Sequence, residues 1–336
     1  EKFVQEVFWR TYWKGWLQMR PAVWDDFLAL RDAGHRALDA DPGLRERHAE
    51  AVSGRTGIAC FDAWSRELTD TGYLHNHARM WFASIWIFTL ELPWALGADF
   101  FYRNLLDGDP ASNTLGWRWV AGLQTKGKTY AARASNIARY TEGRFHPRGE
   151  LNENPEPPAE HASYSKRDPG FADPGAPREP RGLLLTPADC LPESSPWATL
   201  SFTAVAAGYP ASLQQDYRLA DPVVRFSSAA LKSSLDRAAE HYAAGAVWFE
   251  GASGFGRQAA DWARAHGLAS VVIPFTPVGP WSRLAAEAAA ALEHAGVEVR
   301  RPARDWDREL YPHAVRGFFV FKKTIPRVLG ELERFA

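Results

Sequence analysis

Between positions 75 and 119 the chain gathers Asn76, Arg79, Met80, Asp107, Asp109, Asn113, Trp117 and Trp119. These supply two amides, a guanidinium, a thioether, two carboxylates two residues apart and a closing pair of indoles. A cation, hydrogen-bond acceptors, neutral donors and flat apolar walls in one stretch are what a large buried cofactor with charged and aromatic parts requires. A second group precedes it. Glu6, Trp9 and Arg10 stand at i, i+3 and i+4, on one side of any helix that contains them. They line a pocket, or they are a core tryptophan flanked by a surface Glu–Arg pair; spacing leaves both open. A third candidate is GASGFG at 251–256, which follows an apolar run and opens a helical one as a phosphate-binding turn would. Its glycines depart from GxGxxG and no P-loop lysine follows, so it reads as a tight strand-to-helix connection before it reads as a nucleotide site.

These side chains need elements to hold them. Residues 3–19 have helical periodicity that Pro21 ends, and 24–51 form one or two polar helices around Asp41-Pro42-Gly43. After a turn at 53–57, a short helix over 62–69 ends near Gly72. A helix over 75–90 would present Asn76, Arg79 and Met80 at i, i+3 and i+4. A helical stretch at 100–106 leads into a turn at 107–110, where Asp109 is suited to cap the next helix and Pro110 to begin it. Prolines, glycines and charges crowd 142–181, which reads as a connector without its own core. Beyond it, apolar runs at 182–186, 246–250, 270–275 and 297–300 alternate with helical patterns at 256–266 and 281–295. That alternation predicts parallel strands with crossover helices.

Composition excludes several classes. Hydrophobic residues make up 46% and charged residues 24%, which fits a folded chain with a sizeable core. The longest apolar run, 81–90, is too short to span a bilayer and reads as a buried helix. Cys60 and Cys190 form no disulfide framework and have no metal-ligand spacing; we expect small buried hydrophobes in a reducing cytoplasm, and no metal. The formal net charge of -1 exerts no global pull on nucleic acid. Locally, no acidic residue lies between Asp109 and Glu142, while Arg118, Lys126, Lys128, Arg133 and Arg139 do. This makes either a positive face suited to a phosphate backbone or a solvated loop. The 15 tryptophans are dense before position 120; most are expected to fill the core, and some to stack on flat ligands or carry electrons.

Three spaced motifs give these residues a context. EVFWR, the frame GxTGxxxxDAxxRxLxxTGxxHNxxRM filled by 54–80, and LxDGDxAxNxxGWxW filled by 105–119 occur in that order. Over roughly 3–140 the chain resembles the flavin-binding helical domain of the DNA photolyase/cryptochrome family, with site residues most similar to those of cyclobutane pyrimidine dimer photolyases. The resemblance implies FAD as cofactor, an all-helical FAD-binding domain over 1–141, the connector over 142–181, and a Rossmann-like α/β domain over 182–336 that is a relocated antenna-like module. The antenna chromophore stays unspecified.

Residue by residue, the resemblance implies that Arg79 and Asp107 pair beside the isoalloxazine and that Asp109 reaches its polar edge. Asn113 would face N5, with Phe3 and Arg10 on the cofactor as well. Trp9 and Trp119 would clasp a flipped pyrimidine dimer whose bases Glu6, Asn76 and Met80 contact. Trp117 and Trp94 match the first two members of the family's photoreducing tryptophan chain. The implied activity is light-driven electron transfer from reduced FAD to a dimer in DNA by a monomer; the alternative is a cryptochrome-like photoreceptor without repair. The chain also departs from the family. No tryptophan lies within 37–51, where the third member belongs; His77 replaces an arginine, Ala51 a tryptophan, and Ser135-Asn136-Ile137 an Asn-Pro turn. The phosphate-binding loop and antenna domain that precede EVFWR in the family lie outside this sequence.

Overall fold

Capping residues set the helix boundaries around the candidate residues. In the computed structural model, which describes residues 2–125, 127–157, 162–171, 175–250 and 254–331, Asp109 accepts a hydrogen bond from Ser112 N at 2.7 Å and Pro110 begins the helix behind it. Lys126 and residues 251–253 of the glycine-rich turn lie outside the described residues. The chain divides into two units, one made of Glu1–Met19 with Lys166–Ala336, the other of Arg20–Ser165. The sequence placed the first boundary within 142–181; by contacts the first nineteen residues belong with the C-terminal part.

The unit Arg20–Ser165 is helical: α2 (Ala22–Ala40), α3 (Pro42–Val52), α4 (Ala59–Thr71), α5 (Asn76–Ser84), α6 (Trp94–Asn104), α7 (Pro110–Val120) and α8 (Ala134–Tyr140). Asp41 caps α3 through Gly43 N and Leu44 N, with Pro42 preset for the first turn. Gly72 ends α4 at φ 69°, and a Cβ there would meet Leu106 Cγ at 2.6 Å, so glycine is required on both counts. The helix expected over 75–90 is regular only to Ser84. Ile85–Thr89 form a π turn in which Leu90 N reaches back to Ile85 O, an extra residue that turns Trp86 into the core. Phe61, Phe82, Trp86, Phe100, Phe101 and Trp117 make that core, with Phe61 stacked on Phe82 at 4.1 Å and Trp117 edge-on to Phe101 at 5.1 Å.

The other unit is built on one parallel sheet of five strands: β1 (Arg181–Leu184), β2 (Ala204–Gly208), β3 (Gly245–Phe249), β4 (Ser270–Val272) and β5 (Glu298–Arg300), ordered β3-β2-β1-β4-β5. Leu183 pairs with Val205 on one side and Val272 on the other. Helices cover both faces. Leu231, Leu235 and Ala238 of α10 (Asp221–Tyr242) pack on Leu183 and Val205, while α11 (Phe255–Ala265) brings Trp262 so near Gly182 that a Cβ would meet it at 2.5 Å. Between α10 and β2 lies α9 (Ala211–Tyr217), and α12 (Pro280–His294) follows β4. In the same unit α1 (Lys2–Gln18) packs Phe8, Tyr12 and neighbouring Met19 against α13 (Asp305–Leu310), α14 (Phe318–Phe321) and α15 (Ile325–Gly330). Among the described residues no helix is long and apolar enough to cross a membrane.

Candidate functional site

Arg79 is aimed by the start of α5. Its Nε donates to Leu74 O at 2.8 Å, which fixes the guanidinium, and Nη2 then spans both Asp107 oxygens at 3.1 Å. The pair is partly open to solvent, so its net stabilisation is small and its value is a positioned cation beside a carboxylate. Two residues on, Asp109 caps α7, and one turn later Asn113 lies nine-tenths buried. Asn113 Nδ2 donates to Ala98 O of α6 at 2.8 Å, which pins the amide and turns its carbonyl oxygen the other way as an acceptor. Asn76 is exposed and Met80 half-buried on the same helix as Arg79.

Tryptophans follow on the same helices. Trp117 is buried, and its Nε1 finds no acceptor among the described residues. Its six-membered ring rests on α6 at Gly97, one turn beyond Trp94. Trp94 is half-buried, 5.9 Å from the Phe27 ring, with the Arg118 guanidinium 5.9 Å above it. Trp119, half-buried, lies 5.5 Å from the Tyr130 ring. Nearby in this unit, Asp99 is buried and holds Arg103 and His35, each at 3.2 Å. Burial first, then the Arg103 charge, hold the His48 imidazole down at about 4.

The remaining candidates sit on α1, in the other unit. Phe3, Glu6 and Arg10 are exposed; Trp9 is half-buried and stacks face to face on Phe318 at 3.6 Å. That stack uses one indole face. Arg79, Asp107, Asp109, Asn113, Trp94, Trp117 and Trp119 therefore share one unit, and Phe3, Glu6, Trp9 and Arg10 the other. Cys60 is buried, its thiol pushed up to about 12 by burial, while Cys190 is half-buried; both are free. No cluster of metal-ligating side chains occurs among the described residues. Sequence reasoning missed Gly97, which the helix starting at Trp94 takes in, and counted Arg118 with a positive face or solvated loop, whereas the side chain is buried.

A guanidinium, two carboxylates and a pinned amide acceptor are chemistry that suits an isoalloxazine: an amide oxygen can accept from an N–H at N5, and a cation can offset negative charge on a reduced ring. The comparisons agree. Residues 3–152 match the family model described as the FAD binding domain of DNA photolyase. A deoxyribodipyrimidine photo-lyase of Streptomyces griseus is 42% identical over 126 residues, 37% of this chain and 26% of the relative. One from Thermus thermophilus is 35% identical over 176 residues, 50% and 38% of the two chains. Cryptochrome-1 of Arabidopsis thaliana is 44% identical over 69 residues, 20% and 10% of the two. The chain spans about a quarter to two fifths of these photo-lyases. It carries a flavin-binding domain whose cofactor is FAD. Through residues 3–152 it is similar to the DNA photolyase/cryptochrome family.

Proposed function

We propose that the chain is a photolyase-like flavoprotein that repairs cyclobutane pyrimidine dimers in DNA. The observation that carries this reading is the pinned Asn113 amide, one helical turn after Asp109 and the Arg79–Asp107 pair, a set matched to the reduced ring. Bound and reduced, FAD supplies the electron that light drives into the dimer. Arg79 and Asp107 would hold the ring's polar edge, Asp109 its ribityl side, and Asn113 would accept at N5. On the helical unit Trp119 would give an extruded pyrimidine a stacking wall, with Asn76 and Met80 at the edges of its bases. With FAD bound, Trp117 would be the residue to pass it an electron for photoreduction, and Trp94 the one to refill Trp117.

The α/β unit fits the antenna-like part of this reading. The order β3-β2-β1-β4-β5 supports a Rossmann-like reading, and a cavity of about 300 Å³ opens after β1, β4 and β5, where the order reverses. Trp197, Phe275, Arg304 and Asp307 line it, and burial pushes the Asp307 carboxyl up. A flat chromophore is the occupant we expect, and the identity and stoichiometry of pigment released from purified protein test it.

A cryptochrome-like photoreceptor without repair is the second reading, favoured by the absence of a tryptophan at 37–51. Anaerobic illumination of the reduced protein with a dimer-containing oligonucleotide separates the two. Loss of dimers supports repair; undiminished dimers sink it.

A further inference from the structure

A tryptophan chain that ends at Trp94 needs an outlet to solution, and within the helical unit the structure offers several aromatic neighbours. Trp94 leads through Phe27 to Trp24, 5.2 Å further on, and Trp24 to Tyr102 at 6.1 Å; both are buried. Trp117 touches Trp86 edge-on at 6.2 Å, and Trp86 is wholly buried. None of these meets a reductant from solution readily.

Tyr164 differs. It is half-exposed, and its ring centroid lies 5.2 Å from the Arg118 Cζ that is also 5.9 Å from the Trp94 centroid. The two distances bound the separation of the rings at about 11 Å. The carboxylate of Asp26, an exposed residue of α2, stands close enough to its hydroxyl to disfavour the phenolate. Burial pushes the phenol up, so it is protonated when a hole arrives.

The charges favour transfer outward. A positive hole on Trp94 is raised in energy by the adjacent Arg118 guanidinium, more so because Arg118 is itself buried. Oxidised Tyr164 sheds its proton, so moving the hole there replaces a cation beside Arg118 and an anion at Asp26 with two neutral groups. We propose that Tyr164 is the terminal electron donor of the helical unit, passing one electron to the Trp94 radical cation while its phenolic proton moves to Asp26. The products are neutral Trp94, the Tyr164 phenoxyl radical and protonated Asp26. A small thiol in solution then restores Tyr164 by giving up a hydrogen atom. This step rests on the reading of Trp94 as an electron carrier.

Two experiments on the full chain test it. In flavin-free protein, pulse-generated azide radicals oxidise tryptophan, and the growth of tyrosyl absorbance reports transfer to tyrosine. We expect an intramolecular growth phase in the wild type that is lost in both Tyr164→Phe and Trp94→Phe. In Asp26→Asn it persists but slows, and the slowing by deuterium oxide disappears. The same phase in wild type and Tyr164→Phe overturns the proposal. In FAD-loaded protein, a light flash should give a tyrosyl signal absent from Tyr164→Phe. Tryptophan radicals without a Tyr164-dependent tyrosyl overturn this inference alone; no tryptophan radical at all overturns the electron path beneath it as well.

Discussion

The Trp117 ring occupies the space a side chain at Gly97 would need: a Cβ there would come 2.3 Å from Trp117 Cη2. This contact sets how α6 and α7 approach, and with it the positions of Trp94 and Asn113, which ride on those helices. Neither residue's backbone angle demands glycine. The neighbouring ring does.

Gly97→Ala should therefore displace Trp117 and cost about 1–3 kcal/mol, as overpacking does in a dense core. Urea unfolding measures it. A neutral substitution would mean that α6 and α7 can separate without penalty.

Asn113→Ala removes the second donor to Ala98 O, whose own helical bond remains, at a cost of about 0.5–1.5 kcal/mol. In the FAD-loaded protein it should also lower the midpoint potential, because the reduced ring loses its acceptor at N5. Asn113→Asp should lower it further by repulsion. Potentials identical to wild type in both variants would take Asn113 away from the ring.

His48 predicts an acid limb in the stability curve. Its folded value, about 4, lies below the ordinary 6.5, so the unfolded chain binds the extra proton between those limits. Stability from this group is complete above pH 6.5 and is lost as pH falls toward 4. His48→Gln should flatten the fall of the urea midpoint across that window; an unaltered slope would assign the limb to other groups.

Trp119→Ala should weaken binding to dimer-containing DNA by about 1–3 kcal/mol if the indole stacks on a base. Binding to undamaged DNA of the same length is the control. Equal losses on both would point to a general change in the surface around Tyr130 instead.

Local chemistry was legible in the sequence wherever one residue dictates the backbone. The Asp109-Pro110 start of α7, the Gly72 stop of α4 and the Asp41-Pro42 cap of α3 all follow from short-range rules. The strand β2 was missed because Ala204–Gly208 is buried on every residue and so shows no alternation, and alanine and glycine carry little strand preference. The π turn at Ile85–Thr89 was unreadable because an inserted residue shifts the phase without changing the apolar character of the run. In the candidate site, spacing gave the residues of α5 and α7, since these are local. It gave no sign that Trp9 would stack on Phe318, a contact across more than three hundred positions that only tertiary structure creates.

That reach also governs synthesis. Tyr12 Oη donates to Arg316 O at 2.8 Å across 304 residues, and the distant apolar partners of Phe8, Tyr12 and Met19 lie between Trp306 and Val328. At ~5–20 residues per second, a ribosome delivers those partners roughly 15–60 s after α1 has emerged. Until then an aromatic-rich helix waits without its lodging, so we expect α1 to be the stretch of the nascent chain on which a chaperone lingers.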